Sequence, residues 1–229
     1  MALVNHSAPQ DDLFSGQFCG AVAVRPEFAI TASHCVDHRS ASSIDVVLGA
    51  DDICRTTDGG PVPGIRIRVA EILPHAPGAS SSDLSLLRLA VPVSPYSIAS
   101  TLTEASDNPP QRGTAAGWGH SAISYAYSCT LKRFDLQQDA PKNCEDGLER
   151  STALQASLQI SPDIPQWCAI ARPGSDNTCV GDSGGPVYTT DADPRVFAVV
   201  DWGVGCGPRD PGYYSFLPDI DTWIALSRN

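Results

Sequence analysis

Basic residues are scarce in this 229-residue chain, where 15 Lys and Arg stand against 26 Asp and Glu for a formal charge of −11. Nucleic acids and anionic membrane surfaces select the opposite balance, so neither is expected as a partner. No apolar run approaches the ~20 residues a membrane-spanning helix needs, and Met1 to Asp12 lacks the apolar core of a signal peptide. No Cys-x-x-Cys pair occurs, which argues against a structural zinc site. Asp51, Asp52 and Asp58 do not have the ligand spacing of a calcium loop and read as surface carboxylates. No metal and no cofactor is therefore expected. Internal repeats and long low-complexity tracts are also missing.

What the chain does have is eight cysteines, an even number that favours a disulfide framework and an oxidising compartment. Residue spacing alone leaves 105 pairings open. A secreted protein is expected, with an export or pro-segment removed ahead of Met1. Short alternating runs dominate over helical periodicity: Ile44 to Leu48, Ile65 to Val69, Leu84 to Leu89, Leu154 to Ile160 and Val196 to Val200. Ser100 to Gly113, with Asn108-Pro109-Pro110, reads as a linker between two halves, Ala79 to Ser82 as a loop tip, and Pro218 to Leu226 as one terminal helix. The fold expected is one all-β domain over residues 1–229.

Chemistry concentrates in Gly181-Asp182-Ser183-Gly184-Gly185-Pro186. Gly181 lets its backbone N–H point where the Ser183 N–H also points, and two such donors can hold the oxyanion of a tetrahedral intermediate. The Ser183 hydroxyl is then the nucleophile, and it needs a base and a carboxylate to orient that base. Among five histidines, His34 stands out in Thr31-Ala32-Ser33-His34-Cys35, at the end of a strand-like run and beside a cysteine anchor. The acid is sought in Asp83, ahead of Leu84-Ser85-Leu86-Leu87.

Three local patterns in the order His34, Asp83, Ser183 resemble the chymotrypsin/trypsin family of serine endopeptidases, over residues 16–228. Ala116-Gly117-Trp118-Gly119, Trp202-Gly203-Val204-Gly205-Cys206 and Asp221-Thr222-Trp223-Ile224 extend the likeness. The resemblance implies two six-stranded antiparallel β-barrels, at about 8–105 and 112–216, and a C-terminal helix at about 217–228. It also implies the roles of base for His34, orienting acid for Asp83 and nucleophile for Ser183. It joins Cys19 with Cys35, Cys144 with Cys168, and Cys179 with Cys206. Cys54 and Cys129 remain, as a fourth pair or as two free thiols. The His, Asp, Ser order differs from the Ser, Asp, His order of α/β-fold esterases.

By the same likeness, Asn177 forms the floor of the specificity pocket with Thr178 beside it, and Gly203 and Gly212 form open walls. An uncharged floor disfavours a buried ammonium, so Tyr, Phe, Leu or Met is expected before the scissile bond, with the Asn177 amide available to a tyrosine hydroxyl. Asp176 and Asp210 keep Arg/Lys preference open, should either point inward. Asp201-Trp202-Gly203 would pair with protein or peptide substrates as an added strand. Protein inhibitors and a monomeric state are expected alongside.

Two departures from the family stand out. Asp201 replaces a small hydroxyl residue and brings a second acid near Asp83, so one carboxyl pKa rises unless Asp201 turns away or meets a cation. The start also lacks the apolar Ile-Val-Gly-Gly segment whose amine pairs with the acid before the nucleophile, here Asp182. An amine on Ala2-Leu3-Val4 could substitute, or another group could satisfy Asp182. A catalytically silent or zymogen-like homologue that acts by binding is the rival expectation.

Overall fold

The structure, a computed structural model, describes residues 1–54, 56, 58–60, 62–74, 83–95, 98–103, 105–120, 126–152 and 166–227. The expected strand at Leu154 to Ile160 and the loop tip at Ala79 to Ser82 lie outside the described residues. Two antiparallel sheets make up the body. The first contains β1 (Ala2–Asn5), β2 (Gln17–Gly20), β3 (Val22–Arg25), β4 (Phe28–Thr31), β5 (Ile44–Leu48), β6 (Ile65–Pro74) and β7 (Ser85–Leu89). Their order is β2-β1-β5-β6-β7-β4-β3. The two edge strands are consecutive in sequence, parted only by Ala21, so one run of chain joins both edges and curls the sheet like a barrel.

The second sheet is a closed barrel of β8 (Arg112–Gly117), β9 (Lys132–Gln138), β10 (Gln166–Ala171), β11 (Pro186–Tyr188), β12 (Val196–Gly203) and β13 (Gly212–Phe216). The all-β expectation with two barrels and a C-terminal helix therefore holds, with one change in number: seven strands form the first sheet, because the break at Ala21 divides one run in two. That sheet's first strand is Ala2–Asn5. A helix absent from the sequence expectations, α1 (Pro141–Arg150), follows β9, with Pro141 at its first turn, where a missing N–H costs nothing. The terminal helix α2 spans Ile220–Ser227.

The sheets do not fold around separate isolated cores. Val22, Ile30 and Leu86 of the first sheet pack with Val196 and Val199 of the second and with Ile220, Trp223 and Ile224 of α2. Burying these apolar side chains, at about 1.5–3 kcal/mol each, joins the halves and fixes the groove between them. All eight cysteines are bonded: Cys19–Cys35, Cys54–Cys129, Cys144–Cys168 and Cys179–Cys206. The Cys54–Cys129 bridge ties the segment after β5 to the segment before β9, across the two halves.

Candidate active site

Strand register brings the first two site residues together. In the antiparallel β4–β7 pair, Thr31 lies opposite Ser85, so the chain leaving β4 and the chain entering β7 run side by side. Ser33 donates its N–H to the Asp83 carbonyl at 3.1 Å, and the Ser33 and Ser85 hydroxyls bond at 2.9 Å. The result is a two-point grip on His34. Its backbone N–H donates to Asp83 Oδ1 at 2.8 Å, and its Nδ1 bonds Asp83 Oδ2 at 2.5 Å. Burial pushes the Asp83 carboxyl up, but the hydrogen bonds from His34 and the charge on His34 outweigh it and hold it below the usual carboxylate range.

Ser183 comes from the other half. The Ser183 carbonyl accepts the Gly20 N–H at 2.7 Å, which fastens the turn to β2. The side chain of Gln17 donates to the Gly181 carbonyl at 2.9 Å. Gly181 has φ +96° and Gly184 φ +78°, and a Cβ on Gly184 would stand 2.2 Å from Thr31 Oγ1, so this turn needs glycine. Among the described residues, neither the Gly181 nor the Ser183 N–H is bonded to a protein acceptor. The Ser183 hydroxyl donates to the Asp201 carbonyl at 3.2 Å and not to His34. His34, Gly181 and Ser183 line one cleft of about 470 Å³, with Thr178, Trp202 and Gly203.

Of the expected pocket residues, Thr178 and Gly203 line this cleft, whereas Asn177 and Gly212 do not. Asn177 is buried, its amide donating to the Gly207 and Asp210 carbonyls at 3.0 and 2.8 Å, while its oxygen accepts the Thr178 N–H at 2.9 Å. The expectation that this amide is available to a tyrosine hydroxyl is corrected: both its hydrogens are held by loop carbonyls. Behind Gly212, the space is filled by the Tyr214 hydroxyl, which bonds Thr178 Oγ1 at 2.9 Å. Asp176 faces Lys132 at 3.9 Å near the surface. Asp210 Oδ2 accepts the Gly207 N–H at 2.8 Å and stands directly behind Gly205, a cleft residue.

Asp201 and Trp202 lie in β12, opposite β13, and Trp202 stacks on Tyr213 with centroids 3.9 Å apart. The Asp201 side chain turns inward. Its Oδ2 accepts from Gln166 Nε2 at 2.5 Å and Ser215 Oγ at 2.6 Å, and its buried Oδ1 has no partner among the described residues. Burial, then the charge of the nearby Asp83, pushes the Asp201 carboxyl well above its usual range. Gln166 and Ser215 carry no sequence signal of this role, because each meets Asp201 only through the β10–β13–β12 pairing.

Asp182 is fully buried, with Oδ1 accepting the Gly119 N–H at 2.7 Å and Oδ2 the Cys179 N–H at 2.9 Å. Burial raises this carboxyl to about 7, against those two bonds and the charge of Lys132. The substitute amine expected at Ala2 is also corrected. Ala2–Asn5 is β1, hydrogen-bonded between β2 and β5, and the Met1 amine donates to the Ala21 carbonyl at 2.9 Å.

A family model described as Trypsin matches residues 3–224. The chain is similar to trypsin eta of Drosophila melanogaster, 27% identical over 220 residues that cover 93% of this chain and 77% of that protein. It is 29% identical to coagulation factor XII of Bos taurus over 227 residues, covering 90% of this chain and 35% of that protein. Identity reaches 32% over 227 residues with the suppressor of tumorigenicity 14 protein homolog of Bos taurus, covering 91% of this chain and 25% of that protein. The chain thus spans about a third of the second relative and a quarter of the third.

Proposed function

The chain belongs to the trypsin family of serine endopeptidases, and we propose that it cuts peptide bonds through Ser183, His34 and Asp83. The observation that carries this reading is the pair of hydrogen bonds from His34 to Asp83, with His34 and Ser183 lining one cleft. His34 Nδ1 is tied to Asp83, which leaves Nε2 as the base. The Ser183 hydroxyl turns from the Asp201 carbonyl to Nε2 and gives up its proton as Oγ attacks the scissile carbonyl carbon. The oxyanion is held by the free N–H groups of Gly181 and Ser183. His34 then protonates the leaving amine, and a water repeats the sequence to release the acid and restore Ser183.

The substrate chain lies along Asp201-Trp202-Gly203 as an added strand. The side chain before the scissile bond enters the space bounded by Thr178, Gly203, Gly205 and the Cys179–Cys206 bridge. These surfaces are apolar or neutral, which supports a preference for Tyr, Phe, Leu or Met. A second reading, cleavage after Arg or Lys, rests on the Asp210 carboxylate behind Gly205. A cleavage-site profile on a peptide library, repeated with Asp210→Asn, decides between them. Aromatic and aliphatic cleavage that ignores the substitution supports the first reading; Arg/Lys cleavage lost on substitution overturns it. Four bridges that use every cysteine support an extracellular site of action, with protein substrates and protein inhibitors as partners of a monomer.

A further inference from the structure

We propose that Asp201 stands as a neutral acid behind the catalytic pair, donating a hydrogen bond from Oδ1 to Asp83 as a positioning residue. The inference rests on the triad reading above. The two oxygens of Asp201 have different surroundings. Oδ2 already accepts two donors, from Gln166 and Ser215, whereas Oδ1 is buried and meets no hydrogen-bond partner among the described residues. A carboxylate anion would leave that oxygen unsatisfied beside a second carboxylate, because one oxygen of Asp83, one of Asp201 and a ring nitrogen of His34 lie within 4.8 Å of one another. A proton on Oδ1 removes both costs and leaves one negative charge on the pair.

The ionisable surroundings point the same way. Asp83 is the acid next to Asp201, and both Asp83 oxygens are bonded to His34. Asp37 also feels this cluster: its carboxyl is raised by burial and then by the charge of Asp83, against the charges of His34 and His38. Among the described residues no Lys or Arg pairs with Asp201. Among the described residues, the cation next to this pair is His34 when protonated, and Asp83 already holds it. The neutral acid therefore supplies the donor that a hydroxyl supplies elsewhere in the family. It reaches Asp83 from a longer side chain, which Gln166 and Ser215 hold at its other oxygen.

The test compares the native, disulfide-bonded protein with Asp201→Asn. The amide can copy both contacts, its oxygen accepting from Gln166 and Ser215 and its nitrogen donating to Asp83. At pH 7 the wild-type minus variant infrared difference should show a protonated-carboxyl band beyond that of Asp182, which both proteins share. The acidic limb of the kcat/KM profile should stay within about 0.3 pH unit, while kcat falls about fivefold as a weaker donor replaces an acid. Asp201→Leu, which has no donor, should move the limb upward and lower kcat further. No missing band, together with a limb that falls by about one pH unit in Asp201→Asn, would mean that an anion had been removed, and the proposal would be wrong. A purely structural role would change thermal stability without moving limb or band, and also overturns it. Should the amide variant fail to fold, Asp201→Ser gives the same infrared difference. A wild type that neither turns over peptides nor reacts at Ser183 would defeat the triad reading alone, since the infrared band does not depend on turnover.

Discussion

Gly119 donates its N–H to Asp182 Oδ1 at 2.7 Å, and a Cβ at Gly119 would stand 2.5 Å from the same carboxyl group. The acid next to the nucleophile is thus held by backbone from two sides, Gly119 and Cys179, in a space that excludes any larger residue at 119. A Cβ on Gly117 would meet Asp182 Oδ1 at 2.1 Å as well. The turn that carries Gly181 and Ser183 rests on this buried group.

Stability should therefore depend on the Asp182 proton. A carboxyl raised to about 7 from an ordinary 3.8 binds its proton more tightly folded than unfolded. Its contribution is complete below about pH 4 and is lost as pH rises through 7, on the order of 4 kcal/mol across that window. Thermal melts of the wild type and Asp182→Asn between pH 4 and 8 check this. The amide variant should lose that part of the pH dependence; identical slopes would rule it out.

Gly181→Ala should separate kcat from binding. The new Cβ would meet Tyr127 Cε1 at 2.4 Å and sit on a φ of +96°. Tyr127 is a surface side chain and can yield, but the backbone angle cannot be kept without strain, so the Gly181 N–H leaves its direction. A kcat loss on the order of a hundredfold with little change in KM is expected. Adding Tyr127→Ala should not restore it, and full recovery in the double variant would show that crowding and not the oxyanion donor was lost.

Asn177→Asp should not create an Arg/Lys-cleaving enzyme. It removes two donors from the Gly207 and Asp210 carbonyls and sets a buried charge against both. We expect about 3 kcal/mol of destabilisation in denaturant unfolding and no gain of cleavage after basic residues. A stable variant with new Arg/Lys cleavage would contradict this placement of the side chain.

Replacing Cys54 and Cys129 together by serine should lower stability by about 4 kcal/mol in the chain-entropy picture, because the bridge closes a separation of 75 residues. The Ile53 N–H to Cys129 carbonyl bond at 2.9 Å and the Leu131 N–H to Asp51 carbonyl bond at 2.7 Å would remain to hold the two segments. Urea unfolding measures the difference, and a loss below about 1 kcal/mol would show that those bonds suffice.

Local chemistry was the part legible from residues alone. His34, Asp83 and Ser183 each sit in a short pattern whose chemistry needs a partner elsewhere, and β5 over Ile44–Leu48 coincides with the expected strand, a β-branched-rich run. Long-range pairings were not legible. Asn177 looked like an open pocket floor because nothing near it in sequence announces the Gly207 and Asp210 carbonyls. Ala2-Leu3-Val4 looked like a free apolar end because its neighbours in β2 and β5 lie more than ten residues away. The seventh strand came from a break at Ala21 that interrupts no hydrophobic pattern. Helix α1 carries mostly polar residues, with only Gly147 buried, so no apolar stripe marked it.

Reaction of the oxidised protein with a serine-directed aryl phosphonate, followed by peptide mapping, tests the central claim most directly. The account predicts one covalent adduct on Ser183, abolished by His34→Ala and strongly slowed by Asp83→Asn. A folded protein with all four bridges that leaves Ser183 unmodified would contradict it.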